Sequence, residues 1–344
     1  MRSDPKVDVL AVADVFAWDL VRDTDLVGPS EIEIVTDAAI RNPEHWRPVL
    51  RLALESARLP NRLLAVQLLE VVGEVEDVRL LRRYAKRHGR QGASLNLGRD
   101  LAKRLAPRVF VEDLGRVHLS IGAQVVQGSA VRRKVLSLLL YLVSRPRMAA
   151  TRDQVLDALW PEASPSDALN SLNQTVYFLR RVIEPDFDEE TTAGYVQHRP
   201  DLIWLDEDLI SSRSRACRQL MAQVGSGPEP DLALELASQY SGSFALDFAY
   251  DDWAASYRDQ LHTAYLEVME RAIRVDMEAG QLGRAMTLAR RASDVDPRAD
   301  EIQLLAIRLS RLVGAHAAAA ERYAAYASWL SEELGLDPPD ISTL

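Results

Sequence analysis

The chain has 344 residues, 47% of them hydrophobic, with a formal net charge of −10 at pH 7. That length favours two or three domains over one, and a single cysteine, Cys217, excludes an internal disulfide or a thiolate metal cluster. The longest apolar run, Val135 to Val143, is too short to cross a bilayer, and the acidic N-terminus lacks the basic-then-apolar order of a signal peptide, so a soluble cytoplasmic protein with no membrane partner is expected.

Residues 1–29 carry no clear pattern beyond Val9 to Val21, which is compatible with one helix. From about Ser30 to Leu105 helical apolar spacing recurs in short units, separated by Asn42-Pro43, Pro60-Asn61, Gly73 and the Gly89 to Gly92 region. "NRLLAVQLLEVVGEVEDVRLLRRYAKRH" predicts two antiparallel helices joined at Gly73, with Leu64, Leu68, Val71, Leu80, Leu81 and Tyr84 facing inward. Stacked helix pairs of this kind are HEAT-like, and residues 1–105 are assigned to such a region.

The texture changes near Pro107. "VFVEDLGRVHLSIGAQVV" alternates and contains Gly115 and Gly122, which predicts two or three short strands. A helix follows over Ser129 to Val143, with Val135, Leu138, Leu139 and Leu142 buried. Arg132, Arg133 and Lys134 fall in its first turn, where cations oppose the helix dipole unless an anion such as DNA phosphate is nearby; the plain alternative is a solvated surface cluster. "TRDQVLDALW" opens with the capping box Thr151 and Gln154, and Pro161 stops it.

"SDALNSLNQTVYFLRR" then forms the helix of greatest interest. Ser164 caps it, Pro165 takes the first position, and Leu169, Leu172, Val176, Leu179 and Ile183 share one stripe. The opposite side collects Asn170, Gln174, Tyr177 and Arg181, flanked by Asn173 and Arg180, with no Glu or Lys. Amides donate to and accept from base edges at once, arginine reaches guanine or phosphate, and tyrosine contacts phosphate or a thymine methyl. Net charge disfavours nucleic acid only as a sum: residues 216–344 hold 11 basic against 20 acidic side chains, whereas residues 129–183 hold eight basic against four acidic. After an acidic loop, "YVQHRPDLIWLDEDL" predicts a hairpin turning at Arg199-Pro200-Asp201, with His198 and Arg199 at its tip. Strands, three helices and a hairpin in that order make a winged helix-turn-helix, placed over 106–210, whose third helix enters the major groove.

In the last third, Gly280 and Gly314 lie 34 residues apart (314 − 280), as do Ala285 and Ala319. A 34-residue helix-turn-helix period is the tetratricopeptide signature, assigned to 211–344. The fold class expected is therefore mainly α, with HEAT-like repeats, a central winged helix-turn-helix and a tetratricopeptide-like end.

The succession of "RRKVLSLLLYLVSRP", "TRDQVLDALW", "LNQTVYFLRRVIEP", "GYVQHRPDLIWLD" and "DWAASYRDQLHTAYLEVMERAIRVDMEAGQLGRAMTLARRASDVDPRADE" resembles the antibiotic regulatory protein family of actinobacterial transcription activators, over roughly residues 108–340. The resemblance implies a response-regulator-type winged helix joined to a bacterial transcriptional activator domain, dimeric or tandem binding to direct repeats near promoters in double-stranded DNA, and recruitment of RNA polymerase holoenzyme. Carried over by position, helix 165–183 reads DNA, Arg132 to Lys134 approach its backbone, and the hairpin at Arg199 is the wing. About 105 helical residues precede the winged helix, unlike many family members, and resemble the upstream modules of larger ones, so a longer regulator is an expectation.

An enzyme is not expected. The six histidines, at 45, 88, 118, 198, 262 and 316, are scattered, and no HExxH, Gly-x-Ser-x-Gly or GxxxxGK[ST] is present. Nothing calls for a cofactor or a metal. Trp253, Tyr257 and Tyr265 read as core packing. The competing function is a helical-repeat scaffold or sensor whose winged helix docks protein.

Overall fold

A computed structural model describes Val15, Ala17 and residues 29–88, 96–226 and 230–340. The candidate helix over 9–21, apart from Val15 and Ala17, and the break at 89–92 lie outside the described residues. Among those described are fourteen helices and seven short strands, so the fold is mainly α with a small β region in the middle. The chain divides into two compact units: one takes the chain to Pro107 together with Arg180–Tyr195, the other Arg108–Leu179 and Val196 onward.

The first unit holds α1 (Pro29–Arg41), α2 (Pro43–Ala53), α3 (Leu59–Val72), α4 (Val75–His88) and α5 (Arg99–Leu105). Helix α3 packs against all four others, and its buried set (Asn61, Leu64, Ala65, Val66, Leu68, Leu69 and Val72) therefore runs far round the helix. This corrects the single stripe read from sequence: Leu64, Leu68, Leu81 and Tyr84 are buried, but Val71 is 50% exposed and Leu80 half-buried. A helix surrounded by neighbours has no single inward face. Gly73 caps the end of α3 in extended backbone, and the position takes glycine because a Cβ there would meet Leu69 O at 2.4 Å and the Leu101 side chain at 2.8 Å. Arg51 of α2 donates to the fully buried Asp77 of α4 at 2.6 Å and to Glu74 at 2.7 Å; the hydrogen bond to Asp77 holds the guanidinium well above its usual pKa.

In the second unit, β1 (Val109–Glu112), β2 (His118–Ile121) and β3 (Gln124–Gln127) form the predicted meander, and β7 (Ile210–Ser212) adds a parallel strand, giving the order β3-β2-β1-β7. Three helices follow: α6 (Arg133–Ser144), α7 (Arg152–Leu159) and α8 (Pro165–Ile183). Every residue of α6 from Val135 to Ser144 is buried, so this helix is the core of the winged helix. The predicted hairpin is β5 (Val196–His198) and β6 (Leu202–Leu205), to which β4 (Ala149–Thr151) adds a third strand in the order β4-β6-β5.

The last third is helical: α9 (Arg213–Ser226), α10 (Pro230–Gln239), α11 (Asp252–Glu278), α12 (Leu282–Val295), α13 (Asp300–Leu312) and α14 (His316–Trp329). Gly280 and Gly314 close α11 and α13 with φ of +71° and +80°. The residue after each donates back to the carbonyl of Asp276 or Ser310 at 2.8 Å, a Schellman-type end that glycine adopts without Cβ strain. Ala285 and Ala319 are both buried, so the 34-residue period (314 − 280) reports a repeated helix-turn-helix. Tyr257 and Tyr265 are core residues, Tyr265 stacked on Tyr240 with ring centres 4.0 Å apart, whereas Trp253 is half-buried beside Phe248 and Tyr141.

Candidate nucleic-acid interface

Helix α8 is set up by two capped starts in succession. Thr151 Oγ1 accepts the Gln154 amide at 3.2 Å while Gln154 Oε1 accepts the Thr151 amide at 3.0 Å, closing a capping box on α7. After Pro161 the chain turns, Ser164 Oγ accepts the Asp167 amide at 3.3 Å, and Pro165 enters α8. The inner side of α8 is Ala168, Leu172, Thr175, Val176, Leu179 and Ile183, all buried. Leu169, read as part of that stripe, is 39% exposed. Ala168 and Leu169 lie about 50° to either side of the stripe's centre at 100° per residue, and the core takes the smaller one.

The outer side carries Asn170, Asn173, Gln174 and Tyr177, all exposed. The side chains of Asn170 and Gln174 make no hydrogen bond among the described residues. Asn173 Oδ1 accepts from Arg152 Nη1 at 3.2 Å, which takes one of that oxygen's two lone pairs and leaves the second and the Nδ2 donors for other partners. Arg152 escaped the sequence reading. Its Nε also donates to Arg199 O at 3.4 Å, and its backbone amide donates to Asp201 O at 3.0 Å, tying the hairpin tip to α8. The only sequence signal for it is a cation directly after the Thr151 cap. Arg199 lies over the Trp204 ring, 5.6 Å from its centre, and with Arg147 lines an open groove of about 430 Å³ beside the hairpin.

The cations expected at the start of α6 are exposed but separately engaged. Arg132, at the N-cap, lies over Phe178 of α8 at 3.9 Å. Arg133 is ion-paired with Asp251, donates to Asp247 O at 3.1 Å and lies over Phe248. Lys134 donates to Leu159 O and faces Trp160. Neighbouring carboxylate, carbonyls and rings thus account for part of the tolerance of three cations beside a helix N-terminus.

Arg180 and Arg181, with Glu184 to Tyr195, fall in the first unit. Arg180 is half-buried over Phe187, and burial pulls its pKa down. Arg181 is exposed and donates to Pro185 O at 2.9 Å.

Two domain families match the chain: residues 127–196 match "Transcriptional regulatory protein, C terminal", and residues 226–341 match "Bacterial transcriptional activator domain". Among curated proteins it is similar to the regulatory protein AfsR of Streptomyces griseus, 26% identical over 67% of this chain and 23% of that protein. The AfsR of Streptomyces coelicolor is 26% identical over 63% of this chain and 22% of that protein. The chain thus spans about a quarter of the length of these relatives. Among solved structures it is similar to Mycobacterium tuberculosis EmbR in complex with a low affinity phosphopeptide, with a TM-score of 0.51, 18% identity, and coverage of 68% of this chain and 63% of that one. That likeness supports the fold alone. Among the described residues no helix is long and apolar enough to cross a membrane.

Proposed function

We propose that this chain, which belongs to the antibiotic regulatory protein family of transcriptional regulators, is a sequence-specific DNA-binding transcriptional activator of the cytoplasm that lays α8 in the major groove. The observation that carries this reading is the outer side of α8. Three amides and a tyrosine stand exposed on a helix with no Glu or Lys, backed by a fully buried stripe. Asn170, Asn173, Gln174 and Tyr177 meet base edges. Arg132, Arg181 and Arg199 meet the phosphate backbone, with Arg180, Arg133 and Lys134 contributing where their internal contacts yield. Family membership supports binding to direct repeats near promoters as a dimer, and recruitment of RNA polymerase holoenzyme through the activator domain.

Retention of pooled genomic fragments at several salt concentrations tests this. An activator gives a steep inverse salt dependence and a recoverable repeat sequence. No DNA retained even at low salt favours the competing reading, suggested by the net charge of −10, of a scaffold whose winged helix docks protein.

A further inference from the structure

The segment that follows α8 carries five carboxylates in seven positions: Glu184, Asp186, Asp188, Glu189 and Glu190. Tethered directly to a helix that meets DNA, such a run repels phosphate unless something neutralises it. The structure provides the neutralising surface. Helix α4 places Arg79, Arg82, Arg83 and Lys86 at i, i+3, i+4 and i+7, on one face, and all four reach this loop within the first unit. Arg79 pairs with Asp188 at 2.7 Å. Glu190 is approached by Arg79 at 3.6 Å, Arg83 at 3.8 Å and Lys86 at 3.5 Å. Arg82 donates to Glu189 O at 2.9 Å and Thr192 O at 2.6 Å.

These contacts differ in kind. The pairs of Arg79, Arg83 and Lys86 are solvent-exposed, individually weak and screened by salt. Arg82 is half-buried, burial pulls its pKa down, and its two bonds are charge-assisted bonds to backbone oxygens, which anchor a chain more firmly. The loop they hold is itself closed: Glu184 accepts from Thr192 Oγ1 at 2.6 Å and from the Ala193 amide at 3.3 Å, and Asp188 Oδ1 accepts the Glu190 amide at 3.0 Å. Arg180, in the last turn of α8, covers Phe187 in the middle of the loop.

We propose that α4 is an intramolecular receptor for this acidic loop, and that the clasp both fixes the last turn of α8 and keeps the loop's carboxylates off DNA phosphate. The second half rests on the DNA-reading role given to α8 above. It assigns α4 a positioning role in DNA binding. Arg82 is the anchor, and Arg79 with Asp188 is the charge pair that sets its salt sensitivity.

The test uses the full chain with Arg82→Ala, Arg79→Asp, Asp188→Arg and the double reversal Arg79→Asp/Asp188→Arg. Amide hydrogen exchange over 184–193 should quicken by about tenfold or more in Arg82→Ala, less in the single reversals, and return toward the parent rate in the double reversal, with exchange over 133–144 unchanged throughout. Affinity for a selected site should fall in Arg82→Ala and in Arg79→Asp, most at low salt, and recover in the double reversal, while Asp188→Arg, which puts a cation where a carboxylate faced phosphate, is read by loop exchange alone. Unchanged loop exchange in Arg82→Ala overturns the clasp. Faster loop exchange with parent-like DNA affinity overturns its role in DNA binding. If the parent retains no DNA, the reading of α8 fails, and exchange over 184–193 alone decides whether the clasp exists.

Discussion

Replacing Asp113 with asparagine removes a carboxyl group from the junction of β1, α9 and α11, and should change how the chain's stability depends on pH. Asp113 is fully buried. Its oxygens accept the Ser214 amide at 2.7 Å and Ser214 Oγ at 2.6 Å, and Tyr257 OH donates to Ser214 Oγ at 3.2 Å. Burial pushes the carboxyl up to about 6 against those hydrogen bonds, with the charge of Glu112 adding to the rise; Glu112 is itself paired with Arg213 at 3.0 Å. A folded-state pKa above the unfolded value means the native state binds the extra proton between the two. The stabilisation this gives is complete below about 4 and lost as pH rises through about 6. Two units at about 1.4 kcal/mol each amount to about 3 kcal/mol. Asparagine keeps the acceptor for the Ser214 amide and cannot ionise. The stability of Asp113→Asn minus that of the parent, from urea unfolding followed by Trp fluorescence, should therefore rise by about 2 kcal/mol between pH 4 and pH 7, most of that total. Other titrating groups cancel in the difference. A difference that is flat, or that falls with pH, would show that Asp113 is ionised and well compensated in the native state.

On α8, Asn170→Ala or Gln174→Ala should cost roughly 1 to 3 kcal/mol on the preferred site and relax preference at one base pair, as read by selection from random sequence; an unchanged preference in both excludes this face as the reading surface. Arg132→Ala should weaken binding to all sequences alike and reduce the slope of log affinity against log salt by about 1. Arg133→Ala should have the smaller DNA effect, because its guanidinium is held by Asp251 and Asp247. Leu172→Ala, at a fully buried position, should cost about 2 to 5 kcal/mol in urea unfolding; a loss below 1 kcal/mol would mean that α8 is not packed through this stripe.

Much of this architecture is legible in the sequence because it is locally encoded. The Thr151–Gln154 box, the Ser164-Pro165 start and the Gly280/Gly314 period each specify backbone geometry within a few residues, and each appears where the pattern puts it. What was missed depends on residues distant in the chain. Strand β7 is three residues long and exists because β1 offers it an edge. Val71 and Leu169 lie outside because the wide contact face of α3 and the small residue at 168 decide which way a helix turns. Arg152 looks like any surface cation until the hairpin brings the Arg199 carbonyl to it. Arg133 lies where periodicity predicts, yet its partner, Asp251, is 118 residues away.

The same distant pairing bears on how so acidic a chain would meet DNA in the proposed mode. In the last third, Asp276 is bound by Arg284, Glu301 by Arg274 and Glu333 by Arg298, and Asp251 is bound by Arg133. In the loop after α8, Asp188 and Glu190 are met by the cations of α4. A paired carboxylate contributes a short-range dipole rather than a monopole, and exposed charges beyond about 8 Å are largely screened at physiological salt. What phosphate would sense in that mode is then the local surface of α8 and the hairpin. In the proposed mode that surface includes Arg132, Arg152 and Arg199 beside the amides, and Asp206, Glu207 and Asp208 share a groove with Arg199. Breaking one internal pair should accordingly shift the salt dependence of DNA binding far more when the freed carboxylate lies next to α8, as Asp188 does in sequence, than when it lies on the outer repeats, as Glu333 does. Comparing Arg79→Ala with Arg298→Ala measures that difference; equal slopes would mean that net charge, rather than its placement, governs the approach to DNA.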